Sequence, residues 1–433
     1  MSHKRIRRRT FIGIAGAAGL AAGVTACGGG GSNAEPDGPL KVALWGDATR
    51  AAMYRKAIAL FTKAHQGDTA NLQFADLDAY LERLATESAA GDLPDVLWMR
   101  DTHIGRYGKA KVLLDYGPYL DKTIHTADLG KQAIPNGKIG DGVYALPTHY
   151  VGQCVIGNKP ALEDKGVKLA DIKTWDDLAA AAKELGGSAG TSYGLSDPTM
   201  ASSHRDLEGW VRQHGEELFT PGGGPGFTAD TVIAYYRWFD QLRKAKVLAP
   251  ADVQVQANGA GSAGDLLAIG KSALQIQSSN QLTQEQAVTK IPLVMTSLPA
   301  AADASKDWWF FPPILISASA KTKNPETAAK LIDFFLNDIN AAKITRLNQG
   351  APSSSKILDA LLPTLDKSEK AFVTQIRREQ KNPSRPLPIR PEGASQLDKL
   401  IGQASQQIAY GKASIPKAVE QLMAAAKKAL PEQ

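Results

Sequence analysis

Short apolar runs alternate with amphipathic stretches in the first hundred residues. Leu40–Trp45 is an apolar run typical of a short strand, and residues 48–65 carry apolar side chains in a pattern compatible with a helix. A strand near residues 71–74, a helix at 77–90 and a buried strand at 95–99 follow. This strand–helix–strand–helix–strand order predicts an α/β fold with a parallel sheet and helices on both of its faces.

Three residues suited to ligand binding directly follow the predicted strands. Ligands of such sheets lie outside the carboxyl ends of the strands, where Trp45, Asp47 and Asp101 fall. A Trp ring offers a large flat surface at low conformational cost, and carboxylates form hydrogen bonds with hydroxyl groups. Core packing is the alternative role for Trp45. For Asp101 the alternative is an N-cap of a helix at residues 102–110.

Further along, the alternation continues with less regular spacing. Thr174 and Asp177 have the spacing of a capping box, which predicts that a helix begins there. Asn324 and Pro325 predict another helix start, because proline suits the first helical position. The other predicted elements are a strand at 193–196, helices at 205–214 and 229–246, a short helix, turn and strand at 265–277, a Pro-rich segment at 382–391 and two C-terminal helices.

The N-terminus has the layout of an export signal. Residues 4–9 are mostly basic, and the apolar stretch 12–26 is too short and too rich in glycine to favour a transmembrane helix. Residues 8–12, Arg-Arg-Thr-Phe-Ile, resemble the twin-arginine export motif, which implies passage across the membrane in the folded state. The general secretory route is the alternative. We therefore predict a signal peptide at residues 1–26.

Residues 24–27, Val-Thr-Ala-Cys, resemble the lipobox of bacterial lipoproteins. The resemblance implies that Cys27 becomes a lipidated N-terminus, which anchors the protein to the outer face of the cell membrane. The glycine-rich residues 27–38 then form a flexible tether. The alternative is an ordinary secretory signal with a chance cysteine near its end.

The basic charge of the chain belongs to this signal. The whole sequence carries a net charge of +6, and the signal holds five Lys or Arg and no acidic residue, so its removal leaves +1. Nucleic-acid binding thereby loses its main support, and we predict no nucleic-acid partner. With Cys27 lipidated, Cys154 is the remaining cysteine, so no intrachain disulfide can form. Its apolar surroundings predict a buried thiol.

Sequence patterns of phosphate and metal binding do not fit this chain. Residues 264–272 approach a P-loop, but Asp265 stands where that motif requires glycine. The seven histidines are scattered, without a pair at i and i+4, so we predict no metal site. We also predict no cofactor and no enzyme activity.

Several sequence pieces, taken in order, resemble one family of binding proteins. They are Ala-Ala-Gly-Asp-Leu-Pro-Asp-Val at 89–96, Gly-Val-Tyr-Ala-Leu-Pro at 142–147 followed by Asn-Lys at 158–159, Thr-Trp-Asp-Asp-Leu at 174–178, residues 266–274, and Asn-Pro-Glu-Thr-Ala-Ala-Lys-Leu-Ile-Asp-Phe-Phe at 324–335. From about residue 40 to the C-terminus, the chain is similar to the extracellular solute-binding proteins of ABC importers. The resemblance is to carbohydrate-binding family 1, whose best-known member binds maltose.

The resemblance implies an α/β fold of the periplasmic-binding-protein type (type II), with a ligand cleft between two lobes. Three interlobe crossings are expected near residues 149–152, 310–313 and 350–352. The N-terminal lobe is then 39–149 plus 313–350, and the C-terminal lobe is 150–312 plus 351–433. The resemblance further implies a monomer that closes around a carbohydrate by hinge motion and delivers it to the permease subunits of an ABC transporter.

Further ligand-binding residues are implied by the same resemblance. His149 and Tyr150 fall at the first crossing, where a hydrogen-bonded hinge histidine is the alternative. Asp197 matches the position of an acidic contact, with a plain Asp-Pro turn as the alternative. Trp308 and Trp309 precede the second crossing. Because adjacent side chains on an extended segment point opposite ways, at most one of these two faces the cleft squarely.

Asn280 completes the predicted site, and it departs from the family pattern. It stands where maltose-binding relatives carry an aromatic residue. The departure leaves the particular sugar open and suggests that stacking is supplied elsewhere, for which Trp308 and Trp309 are the candidates.

Two other functions stay open at this point. The same fold could carry a non-sugar solute such as a polyamine or a phosphodiester, and a polyamine site would need several acidic residues around its aromatic residues. The other is a secreted carbohydrate-active hydrolase, which would need two carboxylates placed across a cleft.

Overall fold

The computed structural model describes residues 38–201, 204–301, 310–381, 385 and 387–430. The predicted signal peptide, Cys27 and all of the predicted tether except residue 38 lie outside the described residues, as do Trp308 and Trp309. Within the described part, no helix has both the length and the apolar character needed to cross a membrane.

Alternating strands and helices build the first region, as the apolar pattern predicts. β1 pairs in parallel with β2 on one side and with β3 on the other. The five elements predicted from the pattern of this region are confirmed, with bounds that differ by at most one residue. The elements are β1 (Leu40–Trp45), α1 (Ala48–Ala64), β2 (Ala70–Ala75), α2 (Leu77–Ala90), β3 (Val96–Arg100), α3 (Asp101–Lys109), β4 (Lys138–Ile139) and β5 (Gly142–Val143).

The middle region follows the same alternation. The capping box of Thr174 and Asp177 is present at the start of its second helix. The elements are β6 (Leu146–Asn158), α4 (Lys159–Lys165), α5 (Trp175–Leu185), β7 (Tyr193–Leu195), α6 (Arg205–Gln213), α7 (Ala229–Lys244), α8 (Ala251–Gly259), β8 (Ser272–Ser278), α9 (Gln281–Val288), β9 (Leu293–Ser297) and β10 (Phe310–Ala318).

The prediction of a short helix at the start of 265–277 is wrong. Residues 266–270 form turns, and β8 begins at Ser272. The Asp265 carboxylate accepts a hydrogen bond from the backbone N–H of Leu267 at 2.8 Å. Such short-range bonds from Asp offer the backbone an alternative to helical pairing.

The last region is mainly helical. Pro325 occupies the first helical position of α10, as predicted. The elements are α10 (Pro325–Asn337), α11 (Ile339–Thr345), β11 (Ala351–Pro352), α12 (Ser355–Leu361), α13 (Lys367–Lys381), α14 (Ala394–Ala409) and α15 (Ile415–Ala429).

The central sheet is mixed, and not parallel throughout as the pattern of the first region predicts. Its strand order is β2-β1-β3-β10-β6-β8-β7, and β9 and β11 also pair with β6. β10 is antiparallel to β3 and to β6. The reason is connectivity, because β10 returns toward the first region after the chain has built the middle region.

Two large apolar cores lie along this sheet. The first core gathers side chains from β1, β3, α1 and α10, and the second core gathers side chains from α5, α7, β8 and the C-terminal helices α14 and α15. β6 and β10 run between the cores. The three segments predicted as crossings lie side by side there, since Phe311 pairs with Val151 and Ala351 pairs with Tyr150. The predicted α/β architecture is confirmed.

Candidate functional site

The carboxyl end of β1 forms one edge of the candidate site. The Trp45 side chain is mostly buried, and its ring packs against Tyr80 with 5.4 Å between the ring centroids. Asp47 is exposed, and its Oδ1 accepts a hydrogen bond from Arg50 N at 2.8 Å, which caps α1. Core packing, the alternative role for Trp45, therefore accounts for most of its surface.

Arg50 and Tyr54 connect this edge to the residues that precede β11. The Arg50 Nη1 donates to the Trp45 carbonyl at 3.4 Å, and its Nε donates to Asn348 Oδ1 at 2.7 Å. The Tyr54 hydroxyl donates to Gln349 Oε1 at 2.8 Å. Two side-chain amides thus lie at the edge where the sequence predicts carboxylates and a Trp.

His149 lies on β6 and is almost fully buried. Burial, with a smaller effect of the Arg50 charge, lowers the pKa of His149 to about 3, so its ring is neutral at physiological pH. Its Nδ1 has no hydrogen-bond partner among the described residues, and neither has Gln349 Nε2. Because buried polar atoms are normally paired, these two atoms have capacity for a hydrogen bond with a water molecule or a ligand.

The polar character continues along the same side of β6. Strand residues alternate between faces, so His149 and Gln153 share a face that is opposite to Tyr150. Gln153 Nε2 donates to Asp206 Oδ1 at 2.6 Å, and Ser278 Oγ donates to Gln153 Oε1 at 3.2 Å. Burial raises the pKa of Asp206 to about 7. We name the group of buried polar residues His149, Gln153 and Asp206 the His149 face.

Asp101, at the carboxyl end of β3, is held by two arginines. Arg205 Nη2 donates to both Asp101 oxygens, at 2.7 and 2.9 Å, and Arg390 Nε lies 3.4 Å from Oδ2. Burial alone raises the pKa of Asp101, but the two arginine charges outweigh burial and hold it well below its usual range. The N-cap alternative for Asp101 is wrong, since α3 begins at Asp101 itself.

This ionic network joins the two cores. Asp101 belongs to α3, which packs in the first core through Ile104. Arg205 belongs to α6, which packs in the second core. Arg390 donates to both carboxylate oxygens of Glu208 on α6, at 2.5 and 2.8 Å. The carboxyl end of β3 therefore contacts the second core at this point.

Asp197 and Asn280 have other hydrogen-bond partners. The Asp197 carboxylate is buried, where it accepts hydrogen bonds from Arg243 and from Thr199 Oγ1, each at 2.6 Å. Asn280 is half-buried just before α9, and its backbone carbonyl accepts a hydrogen bond from Thr283 Oγ1. Neither residue shares a described hydrogen bond with the His149 face. Their ligand-binding roles stay predictions.

Tyr150 points into a cavity of about 460 Å³ on the other side of β6. Residues 127–132 form one wall, and Gln380 of α13 lies on another. Asn136 Nδ2 donates to the Tyr150 hydroxyl at 3.3 Å. His149 is not among the residues that line this cavity. Two adjacent residues that were predicted for one site thus lie in two different environments.

Residues 186–190 have the Gly-x-Ser-x-Gly spacing that hydrolases use to present a nucleophile. Ser188 is fully buried, and its hydroxyl hydrogen-bonds with the Ala161 carbonyl at 2.8 Å and with an Asp164 oxygen at 3.0 Å. A hydroxyl engaged in this way contributes to packing and is not presented to a substrate.

The fold is a mixed α/β sheet between two apolar cores, with buried polar groups along the strands that run between them. The family model described as "Bacterial extracellular solute-binding protein" matches residues 45–342, which is more than half of the chain. The chain belongs to this family. Membership implies an extracytoplasmic location and a solute-binding role.

Solved structures agree with this assignment. An extracellular solute-binding protein family 1 member from Alicyclobacillus acidocaldarius is 25% identical, with a TM-score of 0.72 over 92% of this chain and 99% of its own. An ABC substrate-binding protein from Listeria monocytogenes in complex with cycloalternan is 20% identical, with a TM-score of 0.75 over 90% and 98%. A periplasmic oligogalacturonide-binding protein from Yersinia enterocolitica, in complex with saturated digalacturonic acid, is 19% identical, with a TM-score of 0.77 over 90% and 99%.

Proposed function

We propose that this protein is the solute-binding component of an ABC importer and that it captures a sugar or oligosaccharide on the His149 face. The observation that carries the proposal is the buried Nδ1 of His149, which has no partner in the described chain and lies where β6 passes between the two cores. A ligand at this position contacts both cores, and differential contact is what allows a ligand to favour a closed state.

The chemistry of the His149 face suits hydroxyl groups. His149 is neutral, Gln153 carries an amide, and the Asp206 carboxyl has a pKa of about 7. The neutral His149 ring and the Gln153 amide can pair with sugar hydroxyls without the cost of burying an unmatched charge, and the Asp206 carboxyl already accepts a hydrogen bond from Gln153. Structural relatives whose ligands are cycloalternan and digalacturonic acid support a carbohydrate as the solute.

Two lobes that move about the crossing strands belong to the same proposal. The N-terminal lobe is residues 39–149 plus 313–350, and the C-terminal lobe is 150–312 plus 351–433. The assignment is supported by the separate first and second cores and by the side-by-side pairing of β6, β10 and β11. The loaded protein then acts as a monomer that delivers its solute to the permease subunits.

The solute class is tested with a soluble form that begins at residue 28. Its thermal unfolding is followed with neutral oligosaccharides, acidic oligosaccharides, polyamines and phosphodiesters. A ligand that binds the folded state raises the melting temperature, by an amount that grows with ligand concentration. We expect stabilisation by at least one carbohydrate; stabilisation by the other solutes alone would refute the carbohydrate assignment. Labelled oligosaccharides should be retained without turnover, and hydrolysis would favour the secreted-hydrolase alternative.

The location of the site is tested by three matched Leu substitutions. His149→Leu and Gln153→Leu remove polar groups from the His149 face, and we expect each to weaken ligand binding by roughly ten-fold or more. Gln132→Leu alters the cavity behind Tyr150, and we expect a change below about three-fold. Calorimetric titration of the three variants measures these affinities. Equal losses for all three, or a loss only for Gln132→Leu, would contradict the proposed location.

His149→Leu also separates binding from folding. Because Nδ1 has no described partner, replacement by an apolar side chain removes an unsatisfied buried group, and we expect the ligand-free protein to be as stable as the wild type or more stable. A variant that binds more weakly while it melts no earlier identifies His149 as a ligand contact.

We also propose a lipid anchor at Cys27, on the lipobox resemblance alone. Mass spectrometry of the membrane-bound protein should find an acylated Cys27 at the N-terminus, and Cys27→Ser should release the protein from the membrane fraction. A mature chain that begins at another residue would contradict the anchor.

A further inference from the structure

We infer that Asp101 and Gly105 of α3 form a latch with Arg205 and Arg390, and that this latch sets ligand affinity by holding the two lobes closed without itself touching the ligand. The inference rests on the proposed two-lobed function. It assigns Asp101 a positioning role in place of the ligand contact that the sequence predicts.

The first observation is the ionic network between the cores. Asp101 lies on the side of the first core and forms ion pairs with Arg205 and Arg390. All three side chains are at least nine-tenths buried. Within the second core, Arg390 is fixed independently by its two bonds to Glu208. His204, next to Arg205, lies with Nδ1 2.5 Å from Asp398 Oδ1 on α14. The second core therefore holds the two arginines in place. Separation of the cores would move Asp101 away from them.

The second observation is the close approach of α3 to the backbone at Arg390. A Cβ at Gly105 would lie 2.0 Å from the Arg390 carbonyl oxygen and 3.4 Å from the Pro391 carbonyl carbon. Backbone atoms of another segment cannot move aside as a flexible side chain can. The contact therefore requires glycine at position 105, although glycine costs a helix interior about 1 kcal/mol relative to alanine.

These two contacts have a common consequence for the conformational equilibrium. Both join α3 to the second core, and both are lost when the lobes separate. Buried ion pairs contribute little net stability but demand one geometry, which suits a contact that defines a closed state. A ligand that binds only the closed state has an apparent affinity proportional to the population of that state. Weakening the latch therefore weakens binding.

Gly105→Ala is designed to prevent closure of the two lobes. Alanine favours the helix itself, so the variant should fold, but its methyl group is incompatible with the closed contact. We expect a larger radius of gyration in small-angle X-ray scattering of the ligand-free protein and at least a ten-fold loss of affinity, expressed mainly as faster dissociation. Asp101→Asn keeps the shape and removes the charge, and we expect a smaller loss of several-fold that high salt does not increase further.

Gly108→Ala is the matched control on the same helix. A Cβ there meets the end of the Ile139 side chain, in the same core and not across the contact. We expect the radius of gyration of this variant to equal that of the wild type. A Gly105→Ala protein that scatters like Gly108→Ala would overturn the latch. Because scattering is measured without ligand, a change in radius stands even if the ligand panel finds no carbohydrate, so the latch and the solute assignment fail separately.

Discussion

The centre of the first core and the region around Cys154 show two different ways of filling a protein interior. In the first core, Trp98 is fully buried and its ring meets Tyr54 and Phe335 edge-on, with centroids 5.3 and 4.9 Å away. Around Cys154 on β6, the buried side chains include the carboxyl groups of Glu285 on α9 and Glu379 on α13. The first interior gains stability from contact area, and the second depends on protonation.

This difference indicates which interior makes the stability of the fold depend on pH. Aromatic packing has no titratable step in the physiological range. Burial raises the pKa of Glu285 to about 9 and that of Glu379 to about 7, so both carboxyls bind protons more readily in the folded state than in the unfolded state. Stability from these groups is therefore greatest at low pH and falls as pH rises toward the folded pKa.

Trp98→Ala gives the largest expected effect. Removal of a fully buried Trp leaves a cavity between Tyr54 and Phe335, and we expect a loss of about 3–5 kcal/mol in the free energy of unfolding. Urea unfolding at pH 5 and at pH 8 should give the same loss. A loss that differs between the two pH values would break the contrast between the two interiors.

Glu285→Gln should stabilise the protein, and more so at high pH. Glu285 Oε2 has no described hydrogen-bond partner, and burial keeps the carboxyl protonated in the folded state up to about pH 9. In the unfolded state the same carboxyl ionises at a lower pH, so rising pH favours unfolding. Between pH 5 and pH 8 we expect the variant to gain roughly 1–4 kcal/mol over the wild type. Glu420→Gln, at an exposed position on α15, serves as the control and should show no such gain. A gain that is independent of pH would show that Glu285 is ionised in the folded protein.

Glu379→Gln gives the smallest expected effect. Ser297 Oγ donates to its Oε1 at 2.5 Å, and the Gln375 amide donates to the same atom, so an amide oxygen can keep both bonds. Because the pKa of Glu379 is about 7 in the folded protein, the wild type loses stability with rising pH only between about pH 4.5 and 7. We expect a gain of about 3 kcal/mol at pH 8 and less than about 1 kcal/mol at pH 5. A gain as large as that of Glu285→Gln at both pH values would contradict this ranking.

Local pattern was sufficient for many of the elements and for one part of the site. The helix starts at Thr174 and Pro325 were predicted because capping and proline geometry act within a single turn. The positions of the crossing segments were predicted by resemblance to a family, whereas their side-by-side pairing came from the structure. Gln153 could have been found from the sequence as well, since it lies four positions after His149, one residue beyond the predicted first crossing, and strand residues four apart share a face.

Residues brought together from distant segments were beyond such reasoning. Arg205 and Arg390 lie 104 and 289 positions from Asp101, and no local spacing indicates that they meet there. Asp101 was predicted as a ligand contact because it follows a strand. Its position at the carboxyl end of β3 is confirmed. The structure shows that two arginines form ion pairs with its carboxylate. These ion pairs depend on the packing of α3 against α6.

The sequence by itself determined the class of fold, the order of strands and helices in the first region, and the family, because apolar periodicity and short motifs record local backbone geometry. Tertiary structure alone decided the direction of β10, the division of His149 and Tyr150 between two faces, and the state of each buried charge. Those properties depend on which distant groups become neighbours once water is excluded, and electrostatic interactions are governed by that neighbourhood.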